Sequence, residues 1–167
     1  MKILFIDTSD KKAIVALLEQ GTLLAKKEFE AIEQQKFLIP AIDELISNTP
    51  IEAIAICVGP GSFTGTRIGV MTGKALAFAL NLPLIPFNSL LPYHKEKTLT
   101  LRDAKNGFCF CFDGSLIEKI PYSEVLEKKL PVYAKNPESI PLETNQATLS
   151  FEKIVFQPES EEITLIY

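Results

Sequence analysis

The apolar run "IEAIAICVG", Ile51–Gly59, constrains the fold most, because its many β-branched residues are typical of a strand buried on both faces. It leads directly into "PGSFTGTRIGVMTG", a stretch rich in glycine. From Ser62 to Leu80 the spacing of apolar residues is helical, and Ser62 or Thr64 is available as the N-cap. The segment therefore predicts a buried strand, a sharp turn and a helix within an α/β domain.

The sequence before this segment predicts an antiparallel meander of three strands followed by a helix. The strands are expected over Lys2–Asp7, Lys12–Glu19 and Thr22–Phe29. The helix falls within Glu33–Asn48 and is expected to start near or just before Pro40, or to kink there, because proline has no N–H to donate. With a short strand around Leu84–Ile85, the order β-β-β-α-β-α-β predicts a mixed sheet with helices packed on it.

From residue 91 onwards the sequence changes character, with short strands, a hairpin signal at Asp113-Gly114 and many polar residues and prolines. Strands are expected over Thr98–Asp103 and Phe108–Phe112, and a short helix over Ser123–Leu130. This half is too thin to bury a large core by itself. We therefore expect an N-terminal lobe over residues 1–90 and a shortened second lobe over residues 91–167.

The glycine-rich turn raises the question of a phosphate-binding loop. The P-loop pattern G-x-x-x-x-G-K-[ST] fails, because Gly59 to Gly65 is one residue too long and Thr66-Arg67 follows. The dinucleotide pattern G-x-G-x-x-G fails too, because Thr64 stands where its third glycine is needed. The helix N-terminus could still accept an anion.

The other glycines of the segment predict close packing. Gly65, Gly69 and Gly73 recur every fourth residue and form one stripe along the helix. Each interior glycine costs about 1 kcal/mol relative to alanine, so a close contact must offset the stripe. Two packings remain open: the stripe faces outward to a partner helix, while Ile68, Leu76, Phe78 and Leu80 face the sheet, or the stripe packs on its own sheet.

Composition and charge exclude several classes of function. The net charge of -4 argues against autonomous binding to nucleic acid, although not against work on RNA through a partner. Three cysteines do not form a disulfide framework, and Cys109 and Cys111 are expected as core residues of a strand. The single histidine, His94, is expected as a solvated loop residue and leaves too few ligands for a metal site.

The sequence also predicts a soluble protein. "MKILFID" lacks the long apolar core of a secretion signal, and the apolar stretch Ala75–Phe87 is too short and interrupted to span a bilayer. Cysteines expected to be reduced fit a cytoplasmic location. We therefore expect a cytoplasmic protein without contact to a membrane.

Several motifs occur in an order and spacing that resemble one family. They are "IDTSD", "FLIPAIDEL", "GPGSFTGTRIGV" and "ALAFALNLPLIPFNSL", and "GPGSFTG-x-RIG" is the most specific of them. The chain resembles the TsaB (YeaZ) family of the tRNA threonylcarbamoyladenosine pathway over about Met1 to Leu91. The resemblance implies an α/β fold of the actin-like ATPase (ribonuclease-H-like) type, a mixed sheet flanked by helices, with a reduced second lobe.

The resemblance also implies a role as a non-catalytic subunit. Members pair with the transferase TsaD, which modifies adenosine 37 of tRNA, and with the ATPase TsaE, so this chain would meet tRNA only indirectly. No catalytic residue, cofactor or metal is expected. The pairing through the first two helices implies partner-binding residues Phe37, Ala41, Gly65, Gly69 and Gly73. A homodimer through the same helices is an open alternative.

The same resemblance places a vestigial nucleotide site at Asp7, Thr8, Gly59 and Gly61, where related ATPases approach phosphate and magnesium. Two rival functions follow from the superfamily: a nucleotide-dependent phosphotransferase and a glycoprotease-like peptidase. The first lacks a second phosphate loop in the later half, and the second lacks a Ser-His-Asp or Cys-His set. Gln34-Gln35 also departs from the His-Ser that the family often has ahead of "LIP".

Overall fold

A computed structural model describes residues 1–151 and 165–166. The described chain divides into two compact units, residues 1–89 with residues 151 and 165–166, and residues 90–150. The expected lobes 1–90 and 91–167 stay a prediction, because residues 152–164 and 167 lie outside the described part.

The first unit is built on a mixed five-stranded sheet in the order β3-β2-β1-β4-β5. Its antiparallel meander is β1 (Lys2–Asp7), β2 (Lys12–Glu19) and β3 (Thr22–Glu30), and its parallel strands are β4 (Ala53–Cys57) and β5 (Leu84–Phe87). Its helices are α1 (Gln34–Ile46) and α2 (Phe63–Leu80). The predicted order β-β-β-α-β-α-β is confirmed.

Both helices pack on the same face of this sheet. Because side chains alternate along a strand, Leu4 and Ile6 of β1 point to one face and form a single core with Ile42 of α1 and Val70 of α2. Phe5 points to the other face, where its ring stacks on Phe87 with centroids 4.7 Å apart. The central strands are thus apolar on both faces, as the run of β-branched residues predicted.

Helix α1 contains Pro40, for which the sequence left open a helix start close to the proline or a kink at it. The helix begins at Gln34 and continues through the proline to Ile46, so it does not begin near Pro40. The packing of Leu38 and Ile42 into the core provides the stability that lets the helix include a residue without an N–H.

Helix α2 begins at the predicted N-cap, since the Ser62 hydroxyl accepts a hydrogen bond from the Gly65 N–H at 3.1 Å. The prediction that the glycine stripe faces outward to a partner is wrong, because Gly65, Gly69 and Gly73 are all buried on the side of α2 that packs within this unit. A Cβ on Gly69 would lie 2.2 Å from Thr8 Oγ1, a distance far below any normal contact. The alternative of packing on the chain's own sheet is therefore the one observed.

The larger side chains of α2 consequently face outward. Phe78 and Leu80, expected to serve the sheet, are exposed, whereas Ile68 and Leu76 are half-buried at the margin of the core. No helix of the described residues is long and apolar enough to cross a membrane.

The second unit holds a five-stranded sheet in the order β10-β9-β6-β7-β8. Its elements are β6 (Leu99–Asp103), β7 (Phe108–Phe112), β8 (Ile117–Pro121), α3 (Tyr122–Glu127), β9 (Val132–Ala134) and β10 (Asn145–Gln146). The thiols of Cys109 and Cys111 are free and lie in its core, as predicted. Burial is the main cause that raises the pKa of Cys109 to about 12 and that of Cys111 to about 11.

His94 is not the solvated loop residue that the sequence predicted. It is buried, and its Nδ1 lies 3.1 Å from Thr100 Oγ1 while its ring meets the edge of Phe112. Gly114 makes room for it, because a Cβ there would lie 2.6 Å from His94 Nε2. The only histidine of the sequence therefore packs inside the second unit.

We expect Gly69→Ala to destabilise the protein, although alanine favours a helix by about 1 kcal/mol. The new methyl group displaces Thr8, and overpacking of this kind costs about 1–3 kcal/mol. Urea unfolding followed by circular dichroism measures the change. Met71→Ala, at an exposed position of the same helix, serves as the control and should stay within about 0.5 kcal/mol of the original protein. A Gly69→Ala protein as stable as this control would contradict the packing.

Candidate functional site

The turn after β1 is held together by its own side chains. Oδ1 of the buried Asp7 accepts hydrogen bonds from the Ser9 N–H at 2.9 Å and from the Ser9 hydroxyl at 2.7 Å. The Ser62 N–H donates to the Ser9 carbonyl at 2.7 Å, which ties this turn to the start of α2. Asp7 of the predicted nucleotide site is thus hydrogen-bonded to Ser9 of its own turn.

Thr8 is the second link between the turn and the helix. Its hydroxyl donates a 2.6 Å hydrogen bond to the carbonyl of Gly65, within the first turn of α2. The side chain is buried, so this bond satisfies a group that water does not reach.

The two glycines of the predicted nucleotide site make room for the chain's own backbone. A Cβ on Gly61 would lie 2.3 Å from the Ser9 carbonyl oxygen, and one on Gly59 would lie 2.2 Å from the carbonyl oxygen of Ile166. Gly59 also has a φ of 96°, which glycine adopts most easily. Both glycines thus allow a close approach of the chain's own backbone, and the nucleotide site stays a prediction.

A buried thiol lies beneath the same turn. Burial is the largest cause that raises the pKa of Cys57 well above its usual value, and the neighbouring Asp7 carboxylate raises it further. The thiol is therefore protonated at neutral pH and is a poor nucleophile. Within the described residues, no group of three or more histidine, cysteine, aspartate or glutamate side chains is placed to hold a metal ion.

The predicted partner-binding residues fall into two groups. Gly65, Gly69 and Gly73 are buried under α2, whereas Ala41 is largely buried on α1 but contributes to the lining of a groove beside that helix. Phe37 is half-buried beside Phe29. It lines a groove of about 610 Å³ between α1 and β3, together with Pro40 and Glu44.

The outer side of α2 carries an apolar surface that the sequence reasoning missed. Phe63, Met71 and Phe78 are 53%, 67% and 91% exposed, respectively. Their spacing of eight and seven residues places them on one side of the helix. The guanidinium of Arg67 lies over the Phe63 ring, 3.7 Å from its centroid. We call Phe63, Met71 and Phe78 the α2 apolar surface.

Comparison with known protein families shows which family the chain belongs to. A family model described as "TsaD: tRNA N6-adenosine threonylcarbamoyltransferase" matches residues 30–117, more than half of the chain. The chain belongs to the TsaB/TsaD family.

Among the curated relatives in this family, two carry the name "tRNA threonylcarbamoyladenosine biosynthesis protein TsaB" and match well. The Haemophilus influenzae protein is 32% identical over 135 residues, which cover 78% of this chain and 56% of the relative. The Escherichia coli protein is 36% identical over 96 residues, which cover 54% of this chain and 42% of the relative. The chain thus spans about half the length of the curated relatives that it matches.

A solved structure supports the fold of the TsaB/TsaD family. YeaZ from Pseudomonas aeruginosa superposes with a TM-score of 0.69 at 22% identity, covering 92% of this chain and 88% of that one. The expected fold class, a mixed sheet flanked by helices, is confirmed.

The hydrogen bonds from Ser9 to Asp7 Oδ1 indicate that Asp7 stabilises the turn as a hydrogen-bond acceptor more than through its charge. We expect Asp7→Ala to cost about 1–3 kcal/mol of stability, because the buried donors of Ser9 lose their acceptor. Asp7→Asn keeps an oxygen that accepts both bonds and should cost less than about 1 kcal/mol. Thermal and urea unfolding of the two variants measure the difference, and equal losses from both would contradict this role.

Proposed function

We propose that the chain is a non-catalytic subunit of the machinery that makes N6-threonylcarbamoyladenosine at position 37 of tRNA. In this role it binds a TsaD-like transferase and activates it. The observation that carries the proposal is the α2 apolar surface, whose exposed aromatic and methionine side chains resemble the anchors of protein interfaces. Membership of the TsaB/TsaD family supports a TsaD-like protein as the partner.

The contact extends from α2 towards α1. Ile39 of α1 is 56% exposed, and Phe37 and Pro40 line the groove between α1 and β3. These apolar side chains and the α2 apolar surface lie on helices that cover the same face of the sheet. One partner could therefore bury the apolar side chains of both helices. Ala41 and the three glycines would act indirectly, because their small size sets the distance between the helices and the sheet.

The proposed absence of catalysis agrees with what the chain's reactive groups do. Asp7 is bonded to Ser9, Cys57 is a buried and protonated thiol, and His94 is packed against Phe112. Each of these groups has a structural role. The chemistry of the modification would then belong to the TsaD-like partner.

The remaining parts of the proposal concern the larger assembly. A TsaE-like ATPase completes the machinery, which works in the cytoplasm. The net charge of -4 favours contact with tRNA chiefly through the complex. A homodimer through α2 would compete for the same apolar surface, because that surface can be buried only once.

Binding to the TsaD-like protein of the same genome tests the proposal. We expect Met71→Asp and Phe78→Asp each to weaken binding at least about tenfold, because a charge must then be desolvated at the centre of the contact. Titration calorimetry measures the affinity. Threonylcarbamoylation of tRNA by the partner, with and without this chain, measures activation.

Leu126→Asp is the matched control. It also replaces an exposed apolar side chain by a carboxylate, but Leu126, 63% exposed, lies on α3 of the second unit and outside the α2 apolar surface. It should bind like the original chain. Light scattering of the isolated protein shows whether it forms a dimer that Phe78→Asp dissolves. Undiminished binding by both α2 variants would rule out this surface as the contact.

A further inference from the structure

Strand β7 of the second unit presents aromatic side chains on the face opposite its core. Cys109 and Cys111 point into the core, so the alternation of a strand places Phe108 and Phe110 on the other face. Phe108 is 41% exposed, although it is a large apolar side chain. An exposed ring of this kind is available for stacking.

Basic side chains flank these rings on the same face. Phe110 is paired with Arg102 of β6 on one side and with Lys119 of β8 on the other. The Lys119 ammonium lies 5.9 Å from the centre of the Phe110 ring. Glu118, the neighbouring acid, alternates to the other face, where it pairs with Lys128. The face therefore combines cations with aromatic rings.

The loop between β6 and β7 adds a further cation in a fixed position. Lys105, Asn106 and Gly107 have φ values of 66°, 54° and 83°, a conformation that residues other than glycine rarely adopt. Asp103 holds the loop, because its Oδ1 accepts hydrogen bonds from the Lys105 N–H at 3.2 Å and from the Tyr122 hydroxyl at 2.9 Å. Positive φ values at Asn106-Gly107 are typical of the tight turn that joins two antiparallel strands, so the loop holds Lys105 beside the ends of β6 and β7.

Loop and strands together line a pocket of about 340 Å³, formed by Ala104, Lys105, Asn106, Phe108 and Lys119. We call it the Lys105 pocket. The Lys105 side chain is 81% exposed, and its ammonium lies 3.0 Å from Asp103 Oδ2, which keeps it at the rim. Two lysines, one asparagine and one exposed ring thus line one opening, and the Lys105 ammonium is ion-paired with the Asp103 carboxylate there.

We propose that the Lys105 pocket binds a single-stranded segment of RNA, with Lys105 and Lys119 on backbone phosphates and the Phe108 ring stacked on a base. Cations interleaved with aromatic rings are the pattern by which proteins hold single-stranded nucleic acid. An acidic peptide would satisfy the lysines but would leave the ring without a partner. The choice of RNA rests on the proposed function.

The overall charge of the chain limits how strongly the pocket can bind RNA. Residues 90–150 hold eight lysine and arginine residues and eight acids, whereas the whole chain has a net charge of -4. The binding is therefore local and weak, and it adds to contacts that the assembled machinery makes. For the isolated chain we expect a dissociation constant of roughly 10⁻⁴ M at low salt.

Fluorescence anisotropy of a labelled single-stranded RNA with the full chain tests the proposal. Two phosphate contacts predict that log K falls with log salt with a slope of about -1.4, and Lys105→Gln or Lys119→Gln should each reduce the slope by about 0.7. The control is Lys129→Gln. Lys129 follows α3, which packs on the other face of the sheet, so the salt dependence of RNA binding should be the same as for the original chain. Equal slopes for all three variants would overturn the proposal.

Phe108→Leu separates stacking from charge, because it keeps the apolar bulk and removes the ring. It should weaken RNA binding about fivefold or more at unchanged salt slope, and should leave the weaker binding of polyglutamate unchanged. RNA containing 5-iodouridine should crosslink to Phe108 under ultraviolet light. Polyglutamate bound as tightly as RNA, or crosslinks only outside residues 102–119, would contradict the pocket.

Measurements of RNA binding and of partner binding test the pocket and the proposed function separately. Circular dichroism of the Lys105 and Lys119 variants confirms that they fold. These variants should still bind the TsaD-like protein, whose contact is proposed on α2. Loss of RNA binding with intact partner binding supports the pocket, whereas RNA binding without any partner binding would contradict the proposed function alone.

Discussion

The close approach of helix α2 to the turn after β1 and to strand β4 is the contact on which the first unit depends. Three glycines let the helix backbone lie directly on the sheet, and the hydroxyl of Thr8 donates to the Gly65 carbonyl at 2.6 Å across that contact. The same approach brings Ser62 to the Ser9 carbonyl, so the turn after β1 and the start of the helix stabilise one another. Side chains at the glycine positions would push these elements apart.

This packing determines which residues the chain presents to other molecules. Since the small residues face the sheet, the remaining large side chains of α2 face outward. Phe63, Met71 and Phe78 are therefore exposed because of the glycine stripe on the opposite side of the helix. The chain's own core and its proposed docking surface are two consequences of one sequence pattern.

The same contact also fixes the turn after β1. Asp7 Oδ1 accepts two hydrogen bonds from Ser9, and the absence of a side chain at Gly61 lets the Ser9 backbone lie close to the start of the helix. A turn held in this way supports the fold of the unit. Its residues help to fix the position of α2.

The sequence by itself determined the order of the elements, the α/β class and the core position of Cys109 and Cys111, and it narrowed the N-cap of α2 to Ser62 or Thr64. These features depend on local spacing and on alternation along a strand, which a sequence displays directly. Only the tertiary structure decided which side of α2 faces the sheet, because a stripe of glycines satisfies a close contact with either partner. It also decided the burial of His94, which depends on the space above Gly114, twenty residues away in the sequence.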